Sequence, residues 1–269
     1  MNWLKVIKAE IYKQHKNSFH STKAYFSLLI WPILNLINAY LCYKPFNLND
    51  LKLYRINTSD ELISFLLIGF FTYISFKSLM QSALQMSYER SNGTLETIFL
   101  SPANRLSLIY GRSLGFIFGN IWMFFAFTFF IMCYIGSIPI YNLVYFPICF
   151  ILIVISATLW GGLLNTIFLF SRDASILFMI IDDPMMLFSG VRIPLTLFPI
   201  WAQVISFIFP LTHVLAVVRD LMLFGDISLS SWNHLLYLLS ELLFMFMITL
   251  FLLSKAEKHA RINGELTFY

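Results

Sequence analysis

Six long apolar runs, at 24–43, 62–85, 107–135, 143–170, 176–190 and 234–254, constrain this chain more than any motif in it. They suit helices crossing a hydrocarbon core ~30 Å thick, for which ~20 apolar residues are needed. A water-soluble fold could bury such runs only beneath a polar surface, and the residues for that surface are missing. Hydrophobic residues make up 59% of the chain and charged ones 12%, with mean hydropathy +0.76; an average soluble domain carries about twice that charge. The expected fold is an all-α integral membrane protein of six transmembrane helices, one domain over 1–269, since helices satisfy every backbone polar group without water.

Six spans put both termini on one side, and the basic residues say which. Segments 1–23, 86–112, 171–175 and 255–269 hold twelve of the eighteen Lys and Arg; segments 44–61, 136–142 and 191–233 hold five, and Lys77 lies inside a span. The positive-inside rule therefore assigns the termini and the 86–112 loop to the cytoplasm. Within 1–23, Trp3, Leu4, Ile7 and Ile11 share one helical stripe while Lys5, Lys8, Lys13 and Lys16 fall elsewhere, the pattern of an amphipathic helix lying among lipid headgroups. The first apolar run is long and lacks an A-x-A-like cleavage site, so it reads as a retained span. Cys42, Cys133 and Cys149 have no metal-ligand spacing, and neither a disulfide framework nor a metal site is expected.

The segment 191–233 is too apolar for an ordinary loop. It consists of apolar pieces of about ten residues broken by Pro194, Pro199 and Pro210. Ten helical residues reach ~15 Å, half of a bilayer core. Because proline fits a first helical turn, each piece should start near a proline, giving a pair of re-entrant helices over 191–225.

No phosphate-cradling G-x-x-x-x-G-K-[ST] and no H-E-x-x-H occurs, so any ATP that powers this protein is hydrolysed by another chain. Residues 111–115, GRSLG, match G-x-S-x-G, and Asp182 and His213 follow in Ser…Asp…His order after Ser113. No strand precedes Gly111, however, and Gly111, Gly115 and Gly119 recur every four residues. That spacing lets two membrane helices approach closely, and packing is the simpler account.

The 86–106 loop is more informative. Glu89 and Arg90 precede a breaker, Asn92 and Gly93. Thr94 then offers an N-cap with Glu96 in the first turn. Leu95, Ile98 and Phe99 make one apolar face of a short helix that Ser101 and Pro102 end, with the next helix able to start there. Such a helix suits a groove on a soluble partner, or a turn resting on headgroups.

The stretch YERSNGTLETIFLSPANRLSLIYGR resembles the loop of the ABC type-2 exporter permeases, with its E-R-x-x-G-T-L-E followed by Pro and Arg. A second stretch is similar to that family's other signature, through Ser189, Gly190, Pro194, Pro199, Trp201, Pro210, Leu211, Thr212 and Arg219; Phe198 replaces a usual Leu. The resemblance implies a six-span permease of the bacterial cytoplasmic membrane. Its coupling helix, including Glu89, Arg90, Gly93, Thr94, Leu95, Glu96, Ile98 and Phe99, would dock on a separate ATPase subunit. Two such subunits, binding ATP and Mg, would serve two permease chains, identical or different, with the re-entrant pair capping the path. The chain itself would hold no cofactor and bind no nucleic acid. The family exports drugs, peptides, lipids and lipid-linked glycans, and the sequence does not choose among them.

Three charges inside spans lie outside that signature. Asp182 and Asp183 fall ~10–12 Å beyond Ser175 along a helix, and Lys77 ~15 Å before Ser87. Each such charge costs about 2.5–3.5 kcal/mol at mid-helix on the insertion scale. Pairing of Lys77 with an aspartate would offset this, and one carboxyl of the adjacent pair could stay protonated. A structural ion pair, a polar patch on the transport path and a proton relay in an ATPase-free, proton-coupled transporter all remain open. Glu241, in the last run, reads as structural.

Overall fold

The computed structural model describes residues 3–18, 22–43, 59–134, 144–169, 171 and 173–263. Among them there is helix and no strand. The order is α1 Trp3–Ser18, α2 Thr22–Tyr43, α3 Ser59–Met80, α4 Leu84–Ser91, α5 Leu95–Leu100, α6 Arg105–Leu114, α7 Ile117–Tyr134, α8 Phe146–Phe168, α9 Ala174–Phe188, α10 Ile200–Ser206, α11 Pro210–Arg219 and α12 Leu229–Asn263.

Five stretches are long and apolar enough to cross a membrane: Tyr25–Cys42, Glu61–Glu89, Arg105–Phe129, Phe146–Phe168 and Leu229–Ala256. This is a multi-pass membrane protein. The run at 176–190 behaves differently from the other five. It forms α9, a helix of 15 residues that continues through Pro184 and spans ~22 Å, short of a full hydrocarbon core. The run at 107–135 is two helices, α6 and α7, separated at Gly115 and Phe116.

The core forms where α3 and α8 lie side by side with α11 and α12 against them. Small residues explain the approach of the first pair: a methyl group on Gly161 of α8 would sit 3.3 Å from both the Leu79 carbonyl oxygen and the Met80 Cα. Phe70, Phe76, Leu66, Ile68 and Met80 of this region are fully enclosed. By contrast α2 lies on the outside, its Phe26, Ile30, Leu34 and Leu41 exposed as a lipid-facing helix requires. It is fastened by the Trp122 indole N–H, which donates to the Tyr25 carbonyl at 3.0 Å.

Proline starts each piece of the segment after α9. Pro194 and Pro199 stand immediately before the Leu195–Leu197 turn and α10, and Pro210 opens α11. α10 and the stretch Pro210–Phe224 meet at 95°. α11 packs against α3, and α10 against α9, where Trp201 meets Phe188.

Helix α1 packs one face against α6. Trp3 and Leu4 are exposed, whereas Val6, Glu10 and Gln14 face protein and lie against α6. A Cβ on Gly111 would come within 3.1 Å of the Ile7 Cα, and one on Gly115 would overlap the Gln14 side chain. The glycine stripe is thus the seat of α1. Ser113, between two of these glycines, donates its hydroxyl to the Leu79 carbonyl of α3 at 3.2 Å.

Candidate functional site

Two groups of polar residues stand out, one at the root of α5 and one between α3 and α9. At the first, Glu89 is the centre. Its Oε1 accepts from Lys13 Nζ of α1 at 2.8 Å and lies 3.6 Å from Arg112 Nη2 of α6. Thr94 donates its hydroxyl to the other carboxylate oxygen of Glu89 and, at 3.2 Å, to the Glu89 carbonyl. Arg112 is fully buried and has a second carboxylate, Glu10 Oε2, at 3.7 Å from Nε. Beside them the amide groups of Gln14 and Gln85 bond to each other. Three helices that are distant in sequence thereby share one charge cluster.

Thr94 is the residue before α5, as expected, but it does not cap by its side chain. The hydroxyl is taken by Glu89, so the turn at Asn92 and Gly93, where Gly93 has φ +70°, is closed by the preceding helix instead. The helix after α5 starts later than Pro102: Asn104 caps α6, its side-chain oxygen accepting from the N–H groups of Leu106 and Ser107. Ile98 is half-buried and Leu100 is 87% exposed, a large apolar side chain standing clear of the protein. The side chains of Arg90, Leu95, Glu96, Phe99 and Cys133 lie outside the described residues.

The second group settles how Lys77 is accommodated. Its Nζ lies 2.5 Å from Asp182 Oδ2, and the Tyr73 hydroxyl donates to Asp182 Oδ1 at 3.0 Å. Tyr73 and Lys77 are one helical turn apart on α3, so both reach the same carboxylate. Asp182 is buried, whereas Asp183 is exposed. Helical geometry turns neighbouring side chains by ~100° and prevents both from meeting Lys77.

The residues of 189–219 form a third assembly. Gly190 has φ +78°, and Arg219 donates from Nη1 to the Gly190 carbonyl at 2.8 Å and from Nη2 to the Val191 carbonyl at 2.9 Å. The guanidinium stacks 3.6 Å over the Phe65 ring. Ser189 is buried, and Trp201 sits edge-on to Phe188, ring centres 5.9 Å apart. Pro194 and Pro199 shape the turns between them. His213 turns Nδ1 to His234 Nδ1 at 2.9 Å and Nε2 toward Glu241 Oε2 at 3.9 Å. Ser113, Asp182 and His213 therefore each have different neighbours and form no triad.

A family model described as ABC-2 family transporter protein matches residues 1–251. The chain belongs to that family. A curated protein of Cyanophora paradoxa named "Putative transport permease ycf38" is 24% identical over 206 residues, which is 76% of this chain and 66% of that protein. This chain thus matches just under two thirds of that relative's length.

Several residues of this ABC-2 family transporter are not evident as site residues in the sequence. Lys13, Glu10 and Arg112 look like ordinary interfacial charges, and only the docking of α1 on α6 brings them to Glu89. Tyr73 carried one usable signal, its spacing of one turn from an intramembrane lysine. Among the described residues no group of three or more His, Cys, Asp or Glu could hold a metal ion.

Proposed function

We propose that this chain is the membrane-spanning permease subunit of an ATP-binding cassette exporter in a bacterial cytoplasmic membrane. It moves a hydrophobic or amphipathic cargo outward, of the drug, peptide, lipid or lipid-linked glycan kind. The observation that carries this is the attachment of α5: a six-residue helix with an exposed end, whose root is held by Glu89 to α1 and α6. A push on α5 would pass into α1 through the Lys13–Glu89 hydrogen bond and toward α6 through the attraction between Glu89 and Arg112 at 3.6 Å. That is the mechanical requirement for a coupling helix docked on a separate ATPase subunit, which would bind ATP and Mg.

In this arrangement α9 completes six spans, both termini are cytoplasmic, and the α10–α11 pair caps the far side as a re-entrant element over 191–225. Two ATPase subunits serve two permease chains. The Lys77–Asp182 pair is a structural tie close to the path, and Asp183 is the carboxylate available to cargo. A proton-coupled transporter would need Asp182 to exchange protons freely, and its bonds to Lys77 and Tyr73 weigh against that.

Leu95→Asp tests the proposal. Cargo-stimulated ATPase activity of the assembled complex should vanish while the chain stays in the membrane. Full transport by this chain alone in liposomes, driven by a pH gradient, would overturn it.

A further inference from the structure

α1 has a second face, turned away from α6. Lys5, Lys8, Tyr12 and Lys16 are all exposed, and their spacing of three and four residues sets them in one ridge along the helix. The Lys16 Nζ stands 5.8 Å from the centre of the Tyr12 ring. Among the described residues no carboxylate meets Lys5, Lys8 or Lys16. The single acid of α1, Glu10, is buried on the other face. Three like charges therefore stand together without a counter-charge from their own helix.

Covalent and packing constraints hold this helix beside the membrane. Ser18 is four peptide steps from Thr22, at most ~14 Å, and the apolar span Tyr25–Cys42 starts three residues later. α6, on which α1 sits, opens another span, Arg105–Phe129. The His15 ring lies 4.6 Å from the ring of Phe118, a partly exposed residue of that span. Trp3, Leu4 and Tyr12, each more than half exposed, set apolar surface next to the lysines. Lysines interleaved with aromatic and aliphatic side chains suit the boundary between headgroups and acyl chains better than bulk water or an acidic protein surface.

We propose that the Lys5–Lys8–Lys16 ridge of α1 is a docking surface for the anionic headgroups of the adjoining lipid leaflet. The ammonium groups meet phosphate oxygens, while Trp3, Leu4 and Tyr12 reach the acyl boundary. Each lysine at an anionic surface adds roughly fivefold to the attraction. Lys13 of the same helix is held by Glu89, so α1 joins this lipid contact to the root of α5. The surface goes beyond the export function and does not depend on it, because lipid preference requires neither an ATPase nor a transport cycle. A failure here leaves the coupling proposal untouched, and a failure of coupling leaves this surface untouched.

The test is electron spin resonance of the full chain in phosphatidylcholine bilayers carrying a trace of spin-labelled phosphatidylglycerol or spin-labelled phosphatidylcholine. The motionally restricted fractions give the association of each lipid with the chain. Averaged over all lipid contacts, phosphatidylglycerol should be preferred about threefold, and the preference should fade at about 1 M salt, where the screening length is ~3 Å. Lys5→Gln with Lys8→Gln and Lys16→Gln should remove about half of it or more at an unchanged unfolding midpoint. Arginine at the same three positions should preserve it. Lys255→Gln with Lys258→Gln, at exposed positions near the end of α12, should leave most of it. If the triple variant unfolds, Lys8→Glu decides the matter and should lower the preference alone. Equal association of the two lipids with the wild type, an unchanged preference in the glutamine variant of α1, or an equal loss in the α12 variant overturns the proposal. Unchanged lipid preference together with loss of a bound partner protein would give the ridge to a protein surface instead.

Discussion

Lys13 donates to Glu89 at 2.8 Å across 76 residues of sequence, so the first helix of the chain is tied to the root of α5. Lys13 is partly exposed, and an isolated surface pair of this kind is worth about 0.2–1 kcal/mol. Its importance is geometric. Glu89 also faces Arg112, so one carboxylate at the root of α5 meets cations from both α1 and α6.

Glu89→Gln should therefore separate insertion from coupling. We expect the variant to reach the membrane at wild-type level while cargo-stimulated ATPase activity of the complex falls on the order of tenfold, within the span of typical coupling energies. The exchange Lys13→Glu with Glu89→Lys should recover part of that loss, because it restores the contact to α1 but places a cation beside Arg112. Turnover in nanodiscs with the partner subunit measures both.

Arg112 is a test of burial. It is fully enclosed between Glu10 and Glu89, and deleting one member of a buried charge group costs about 3–5 kcal/mol. Arg112→Ala should show most of that loss in detergent unfolding. Arg112→Met combined with Glu10→Leu should lose less, since it leaves fewer buried charges without a partner.

Lys77 and Asp182 should behave in the same way within the bundle. Lys77→Met leaves a buried carboxylate and should destabilise by about 3–5 kcal/mol, while Lys77→Met with Asp182→Asn should recover much of it. Tyr73→Phe removes one hydrogen bond to a charged group and should cost about 1.5–3 kcal/mol. Thermal unfolding of the purified chain gives all three values.

The adjacent aspartates should part company. Asp182→Asn should lower the unfolding midpoint because two partners depend on that carboxylate. Asp183→Asn, at an exposed position, should stay within about 0.5 kcal/mol of wild type. Under the proposed function it should instead alter which cargo stimulates the ATPase, read across a set of cationic, neutral and anionic amphiphiles.

Gly69 predicts the sensitivity of the far end. A Cβ there would overlap the Val191 carbonyl oxygen and lie 2.6 Å from Arg219 Nη2. Gly69→Ala should therefore push the 190–191 turn off α3 and loosen Arg219, visible as faster hydrogen exchange over 189–219 at an unchanged exchange rate in α1.

The helical architecture was readable because its causes are local or average. Long apolar runs, sparse charge and prolines at the start of short segments act through the cost of exposing polar backbone to lipid, which does not depend on neighbours. The family was readable too, since its signatures are contiguous. Even so, the 176–190 run is a shorter helix than its neighbours, and hydropathy alone does not measure the length of ordered helix. The polar sites were less legible for a different reason. Thr94 was placed correctly before α5, but the destination of its hydroxyl depended on Glu89 folding back over the turn. Lys77 announced that it needed a partner, and helix phase between α3 and α9 selected Asp182 over Asp183.

By itself, the sequence determined the solvent this chain is built for, the helical elements that solvent demands and the family to which the chain belongs. Only the tertiary structure decided which charges meet: Lys13, Glu10 and Arg112 around Glu89, Tyr73 and Lys77 on Asp182, and Arg219 on the carbonyls of a glycine turn. The physical reason is range. Hydropathy and turn propensity act through each residue's own backbone, whereas an ion pair across 76 or 105 residues exists only after helices have packed at one particular rotation.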